Sequence, residues 1–505
     1  MAANVEPGRR RLIANAIANL ARGASAGLVA VILPAVLVRT LPATGYSAWA
    51  LVLQLSTYIA MLDFGFQVGI GRFIARESAR EDEERRNQFF FGGALLLAGC
   101  GLAALFATVG LAVFLSAIFP KLTPSLVPEC RLAVLLIGAS CSLSLPGSAI
   151  AGMFIGLERY EVPAIVLGVG RLIQIALTSV FALATHDLVQ IALAYAVGNV
   201  LMQVAYGVFL FRRFPTLRFR RDHVRRDAIG ELIRYCANLS VWNVSMFLVY
   251  GLDMAIVAEL DFKALAPYSI CSNLMAVMVG FMGSAFNVLI SRASMLDGKG
   301  EHQAVGRLLV SASKVSTSLI LAIGVGALLL AAPVFDAWVG PAMRIQAMPF
   351  FWVLLVSNGL RLLLAPYATV LMGTGEHKWA TVTTLSEGVS NLVASIVLGR
   401  LFGPIGVAYG TMVGAVVGLG MAILFTFPRA LRIDCTRREY LTTGFLRPAI
   451  WFVPLAFGAS VYLWNPGLAT GPVLLIGFLA SVFLVARSNS AIARWLHRGQ
   501  GATQG

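Results

Sequence analysis

Three observations predict an all-α, polytopic membrane protein. The chain has 505 residues, 58% hydrophobic and 12% charged, with a mean hydropathy of +0.81; soluble chains carry about 25% charged residues. Its apolar residues gather into about fourteen runs, each near the ~20 helical residues needed to cross a ~30 Å hydrocarbon core. Those runs lack the apolar–polar alternation over about ten residues that a barrel strand requires. A soluble enzyme and a disordered scaffold are excluded. The net charge of +15 raises nucleic-acid binding as a question that the placement of charge must answer.

In chain order the runs predict spans at 14–38, 46–65, 89–117, 131–155, 163–184, 188–211 and 235–258. They continue at 266–290, 309–332, 347–371, 380–400, 405–427, 447–464 and 470–486. The first does not read as a cleaved signal peptide, because Asn15, Asn19 and Arg22 interrupt it and further spans follow. The fourth and tenth contain Pro146 and Pro366, each removing one helical hydrogen bond, so both are candidate bends or packing kinks. Gly410, Gly414 and Gly418 in the twelfth form a small-residue stripe for close helix contact. Six cysteines without a CxxC pair argue against a zinc site or a disulfide framework.

Orientation follows from Lys and Arg. Thirty of the 39 lie in one alternate set of loops and tails, six in the opposite set, and three within spans. The richer side is expected to be cytoplasmic, with both termini on it. The basic loops then serve orientation and contact with anionic membrane lipids, and no nucleic-acid partner is expected.

The halves share landmarks about 220 residues apart. Ala18-Asn19-Leu20 recurs as Ala237-Asn238-Leu239, Tyr46-Ser47 as Tyr268-Ser269, Arg72 as Arg292, Pro146 as Pro366 and Glu158 as Glu376. Two parallel six-helix lobes follow: an N-lobe over 1–211 and a C-lobe over 235–427, joined by a basic cytoplasmic linker at 212–234. Two further helices and a tail occupy 428–505. Folds of this kind place substrate between the halves and rock them about it.

Arg22, Arg171 and Arg361 stand at membrane depth, where an arginine costs about 2.5–3.5 kcal/mol on insertion scales. Each has an amide three residues away: Asn19, Gln174 and Asn358 respectively. Such neighbours share a helix face, and Asn15 extends the first stripe. Guanidinium forks clamp phosphate oxygens while amides serve hydroxyls, so an anionic, hydroxyl-rich substrate is one reading. Structural pairing with buried carboxylates is the other. Asp253, and Glu387 with Asn391 four residues on, could coordinate Na⁺ or carry a proton. Pairing with Arg361 is their alternative role. Trp49, Tyr250 and Tyr268 could stack on sugars or anchor helix ends. No Walker A, GxSxG or HExxH motif is present, so neither catalysis nor a cofactor beyond a coupling ion is expected.

Several segments resemble bacterial polysaccharide exporters of the Wzx type, in the multidrug/oligosaccharidyl-lipid/polysaccharide exporter superfamily. These are Gly45-Tyr46 with Trp49, Leu62-Asp63-Phe64-Gly65, Arg72-Phe73, Gly156-Leu157-Glu158-Arg159-Tyr160, Tyr250-Gly251-Leu252-Asp253 and Gly403-Pro404-Ile405-Gly406-Val407-Ala408. The resemblance implies flipping of undecaprenyl-pyrophosphate-linked oligosaccharide across a bacterial inner membrane for surface polysaccharide export. Polysaccharide polymerase and glycosyltransferases would be its functional partners. Of the candidate ion-coupling residues, Asp253 alone sits on a family motif. A peptidoglycan-precursor flippase would want a similar cationic cavity. A multidrug or cation antiporter would need an acidic or aromatic one, and a membrane glycan polymerase or ligase a longer outward loop than 118–130.

Overall fold

The computed structural model describes residues 27–215, 223–464 and 471–485, and no strand occurs among them. The N-terminal helices are α1 (Gly27–Thr40), α2 (Ala43–Ala60), α3 (Phe66–Ala79), α4 (Glu83–Ile118), α5 (Val127–Gly156), α6 (Glu161–Thr185) and α7 (Leu188–Arg213). Next come α8 (Arg226–Tyr250), α9 (Asp253–Leu260), α10 (Leu265–Phe286), α11 (Val288–Gly298), α12 (His302–Val339), α13 (Pro341–Leu363) and α14 (Ala365–Gly373). The last are α15 (His377–Phe402), α16 (Pro404–Met421), α17 (Arg437–Leu441), α18 (Arg447–Trp464) and α19 (Gly471–Val485). Among the described residues, twelve helical stretches are long and apolar enough to cross a membrane, and α1 and α19 are shorter apolar helices. Within the described residues every expected span coincides with helix, and residues 14–26 of the first lie outside them. The chain is an all-helical, multi-pass membrane protein.

Helices outrun the apolar runs that predicted them. The 38 residues of α12 extend about 57 Å at 1.5 Å per residue, well beyond a ~30 Å core. Lys314, inside the expected span 309–332, is 8% exposed, its ammonium 4.8 Å from the Trp451 ring centroid. The helix outruns that span at both ends because the backbone stays hydrogen-bonded past the ends of the apolar run. Likewise α8 begins nine residues before the expected span at 235.

Local chemistry sets the boundaries. Leu62-Asp63-Phe64-Gly65 is a turn between α2 and α3, with left-handed backbone at Phe64 and Gly65. There Asp63 Oδ1 accepts from the Gln67 amide at 3.3 Å. Asp82 caps α4 by accepting from the Arg85 amide at 2.8 Å, and Asp187 caps α7 through the Val189 amide at 2.8 Å, as acceptors at helix starts do. The two prolines behave differently. Pro146 sits inside the continuous α5. Pro366 lies just past a break between α13 and α14, and the Leu362 carbonyl that its ring leaves without an amide accepts from Ser316 Oγ at 2.9 Å.

By contact the chain forms two compact units. One holds 1–284, 345–354 and 384–414; the other holds 285–344, 355–383 and 415–505. In the first, α3 packs closely on α5: a Cβ at Gly152 would stand 2.7 Å from the Gln67 carbonyl, and one at Gly156 2.5 Å from that of Gly71. The matched dipeptides Tyr46-Ser47 and Tyr268-Ser269 also meet here. The Tyr46 hydroxyl hydrogen-bonds Ser269, and Ser47 Oγ accepts from the Ala266 amide at 3.1 Å. In the second unit, Glu376 accepts from the Leu431 amide at 3.0 Å, and Tyr367 donates to Thr426 at 3.1 Å. Two short π-helical turns, Ala422–Thr426 and Thr442–Leu446, widen the backbone of this unit.

An ionic cluster ties α8 to α3 and α4 in the first unit. Arg85 reaches Asp227 at 2.5 Å and Glu231 at 2.7 Å; Arg76 reaches Glu77 at 2.5 Å and Glu231 at 3.1 Å. Phe73 stacks on Phe89 at 4.5 Å beneath the guanidinium groups. The Arg85 guanidinium holds the Asp227 carboxyl below the usual carboxylate range. A depressed carboxyl contributes stability above its unfolded value of about 3.9 and loses it as pH falls through the folded value. Anchoring of α8 should thus be equal at pH 6 and pH 8. It should weaken with salt, which screens exposed charges beyond about 10 Å at 0.1 M. Amide-exchange protection over 226–235 tests this, and protection that differs between the two pH values refutes it.

Candidate functional site

The site begins at a helix break. The last turn of α8 closes when the Gly251 amide bonds to the Phe247 carbonyl at 2.7 Å, and α9 starts at Asp253. The Gly251 carbonyl accepts from Gln54 Nε2 at 2.8 Å and from the Tyr58 hydroxyl, both on α2. Irregular backbone at membrane depth needs such partners. Asp253 occupies the first turn of α9, where the helix dipole favours a carboxylate.

Three donors converge on that carboxylate. Oδ2 accepts from Thr411 Oγ1 at 2.9 Å and from the Tyr268 hydroxyl at 3.3 Å, and Oδ1 accepts from Asn391 Nδ2 at 3.3 Å. Asn391 also donates to the Val249 carbonyl at 3.2 Å and accepts from Ser395 Oγ at 3.2 Å. Thr411 and Ser395 share the Val407 carbonyl, each at 3.3 Å. Asp253 and Asn391, 138 residues apart, are therefore joined, and Tyr268, Ser395 and Thr411 complete the cluster. Glu387 is buried one helical turn before Asn391.

Two glycines permit this approach. A Cβ at Gly414 would stand 2.7 Å from that of Asn391, and one at Gly410 2.4 Å from the Ser395 amide nitrogen. The glycine stripe on α16 is thus the seam along which α15 delivers its amide and hydroxyl. The spacing of Thr411, within that stripe and four after Val407, was the available signal for a residue that sequence reading passed over.

The arginine–amide pairs fare individually. Asn15, Asn19 and Arg22 lie outside the described residues. On α13, Arg361 Nη1 donates to Asn358 Oδ1 at 3.1 Å, and both side chains are buried. On α6, Arg171 is half-buried. Gln174 spends its amide on the Tyr195 carbonyl at 3.0 Å and Asn199 Oδ1 at 2.8 Å. Asn199 continues to Ser140 Oγ at 3.0 Å, so Gln174 braces α6, α7 and α5. Among the described residues, no group of three or more His, Cys, Asp and Glu is placed to hold a metal. The ring of oxygens around Asp253 is of the type that hard cations take.

Residues 12–296 match the family described as polysaccharide biosynthesis protein, and the chain belongs to that family. Among solved structures it is similar to the lipid II flippase MurJ in an inward closed conformation, with a TM-score of 0.73 and 12% identity over 95% of this chain and 100% of that one. It is also similar to an inward-facing multidrug resistance MATE family transporter of the MOP superfamily, with a TM-score of 0.69 and 16% identity, covering 80% and 94%. A third likeness is the eukaryotic MATE transporter AtDTX14, at 0.61 and 14%, covering 87% and 99%. No curated protein sequence matches the chain.

Proposed function

We propose that the protein flips undecaprenyl-pyrophosphate-linked oligosaccharide across the bacterial inner membrane, both termini in the cytoplasm, for surface polysaccharide export. Two parallel lobes, 1–211 and 235–427, rock in alternating access. Arg22, Arg171 and Arg361 receive the pyrophosphate. Na⁺ or a proton at Asp253, Asn391 and Glu387 couples the movement. The observation that carries this reading is the buried Arg361–Asn358 pair, at 3.1 Å, in a chain of the polysaccharide biosynthesis family. Buried guanidinium groups favour an anionic substrate over a cationic drug. Partners on this reading are the lipid-linked glycan, anionic lipids, and the glycosyltransferases and polymerase that precede and follow the flip.

Arg22→Ala and Arg361→Ala, at wild-type membrane levels, are expected to lower surface polymer at least tenfold while lipid-linked oligosaccharide accumulates. Wild-type output from both variants would sink the proposal. The likeness to MurJ across nearly the whole chain favours a peptidoglycan-precursor flippase as the second reading. Rescue of cells depleted of their peptidoglycan flippase would establish it in place of the first.

A further inference from the structure

A cavity of about 350 Å³ lies in the first unit between α1, α2, α7, α9 and α10, within the range of small-ligand pockets. No Asp, Glu, Lys, Arg or His lines it among the described residues. The described lining therefore holds no charged group of its own, and the Arg171 guanidinium acts on the wall only electrostatically, through Tyr195. Its walls are instead aromatic, amide and hydroxyl: Trp49, Tyr195, Tyr46, Gln54, Thr57 and Asn273. Rings present apolar faces and polar edges, while amides both donate and accept. That combination matches a sugar ring, which has an apolar C–H face and a rim of hydroxyls.

The walls are held in place before any ligand arrives. Trp49 meets Tyr195 edge-on, with centroids 5.5 Å apart and planes at 80°, and Gln174 fixes the Tyr195 carbonyl at 3.0 Å. Tyr46 is tied to Ser269. Gln54 commits one amide N–H to the Gly251 carbonyl at 2.8 Å, which keeps its oxygen as an acceptor. Asn273 is only partly buried, and no hydrogen bond to another described residue engages its side chain. A fixed aromatic wall spares part of the ordering cost of binding.

We infer that this cavity is a subsite for uncharged sugar residues of the glycan. The inference rests on the reading that the chain carries a lipid-linked glycan, and it assigns Asn273, Thr57 and the Trp49–Tyr195 wall to selection of that glycan. Gln174, expected as a direct sugar ligand, becomes a positioning residue for Tyr195. Gln54 joins the subsite to the α8–α9 break beside Asp253.

The test uses the native host with glycosyltransferase deletions that shorten the lipid-linked repeat one sugar at a time. Outer-leaflet glycan is labelled on spheroplasts and divided by the total lipid-linked pool. The wild-type protein is expected to flip the full repeat at least tenfold better than the shortened repeat that lacks the seated sugar. Asn273→Leu should lose that preference, falling about tenfold on the full repeat and staying unchanged on the shortened one; Asn273→Gln should recover part of it. Arg361→Ala should lower both repeats by one common factor. Absence of a step in the wild type, retention of it in Asn273→Leu, or an equal loss on both repeats in that variant would overturn the subsite. An apolar occupant such as a lipid chain would produce the second outcome. Unchanged flipping by Arg361→Ala, with the Asn273→Leu step intact, would remove the pyrophosphate assignment and leave the subsite standing.

Discussion

Asp253→Asn is expected to fold, to lose less melting temperature than Asp253→Ala because it keeps one of the two acceptor oxygens, and to lose the response of transport to Na⁺ or pH. The substitution keeps the side chain's shape and an acceptor oxygen but removes its charge, which is what a coupling ion would bind or neutralise. Asp253→Ala should behave otherwise. It strips Asn391 Nδ2, Thr411 Oγ1 and the Tyr268 hydroxyl of the acceptor they share at 2.9–3.3 Å, and a buried group without its partner costs about 1–3 kcal/mol. The larger drop in melting temperature follows for Asp253→Ala. Thr411→Val then separates the two forms of coupling. Loss of a hydroxyl oxygen should weaken Na⁺ dependence if that oxygen is a ligand, but should leave proton dependence in place. Reconstituted vesicles with an imposed Na⁺ or pH gradient provide the measurement. Wild-type ion response in Asp253→Asn would remove Asp253 from the coupling role.

Gly410→Ala is expected to cost folded protein. The new Cβ would stand 2.4 Å from the Ser395 nitrogen and 2.5 Å from its Cα. Backbone atoms cannot rotate aside, so α15 and α16 must part. Overpacking of this kind costs about 1–3 kcal/mol, and parting the helices also loosens the Ser395–Val407 contact at 3.3 Å. Gly420→Ala is the matched control. Its Cβ meets nothing within 4 Å, and helix propensity favours alanine there by about 1 kcal/mol. Folded yield and thermal melting of the two variants should move in opposite directions; a Gly410→Ala protein as stable as Gly420→Ala would refute the seam.

Much of the candidate site was legible as local geometry. The Asn358–Arg361 contact follows from i, i+3 spacing on one helix, which no tertiary arrangement alters. The glycine stripe on α16 announced a close approach without naming the helix that approaches. Gln174 shows the limit of the method. Its spacing placed it on the face of Arg171, yet α7 claims its amide through Tyr195 and Asn199.

The sequence by itself determined the helical class and, among the described residues, the placement of the apolar helices. Lipid leaves backbone groups only internal partners, so each apolar run of sufficient length must be a helix whatever surrounds it. Only the tertiary structure decided where two helices break, at Gly251 and at Leu364, and which distant residues satisfy the freed carbonyls. It also decided that Asp253, Tyr268, Asn391 and Thr411 share one cluster. Contacts between residues more than a hundred positions apart depend on how helices pack, and packing is a property of the assembled helices that no single span contains.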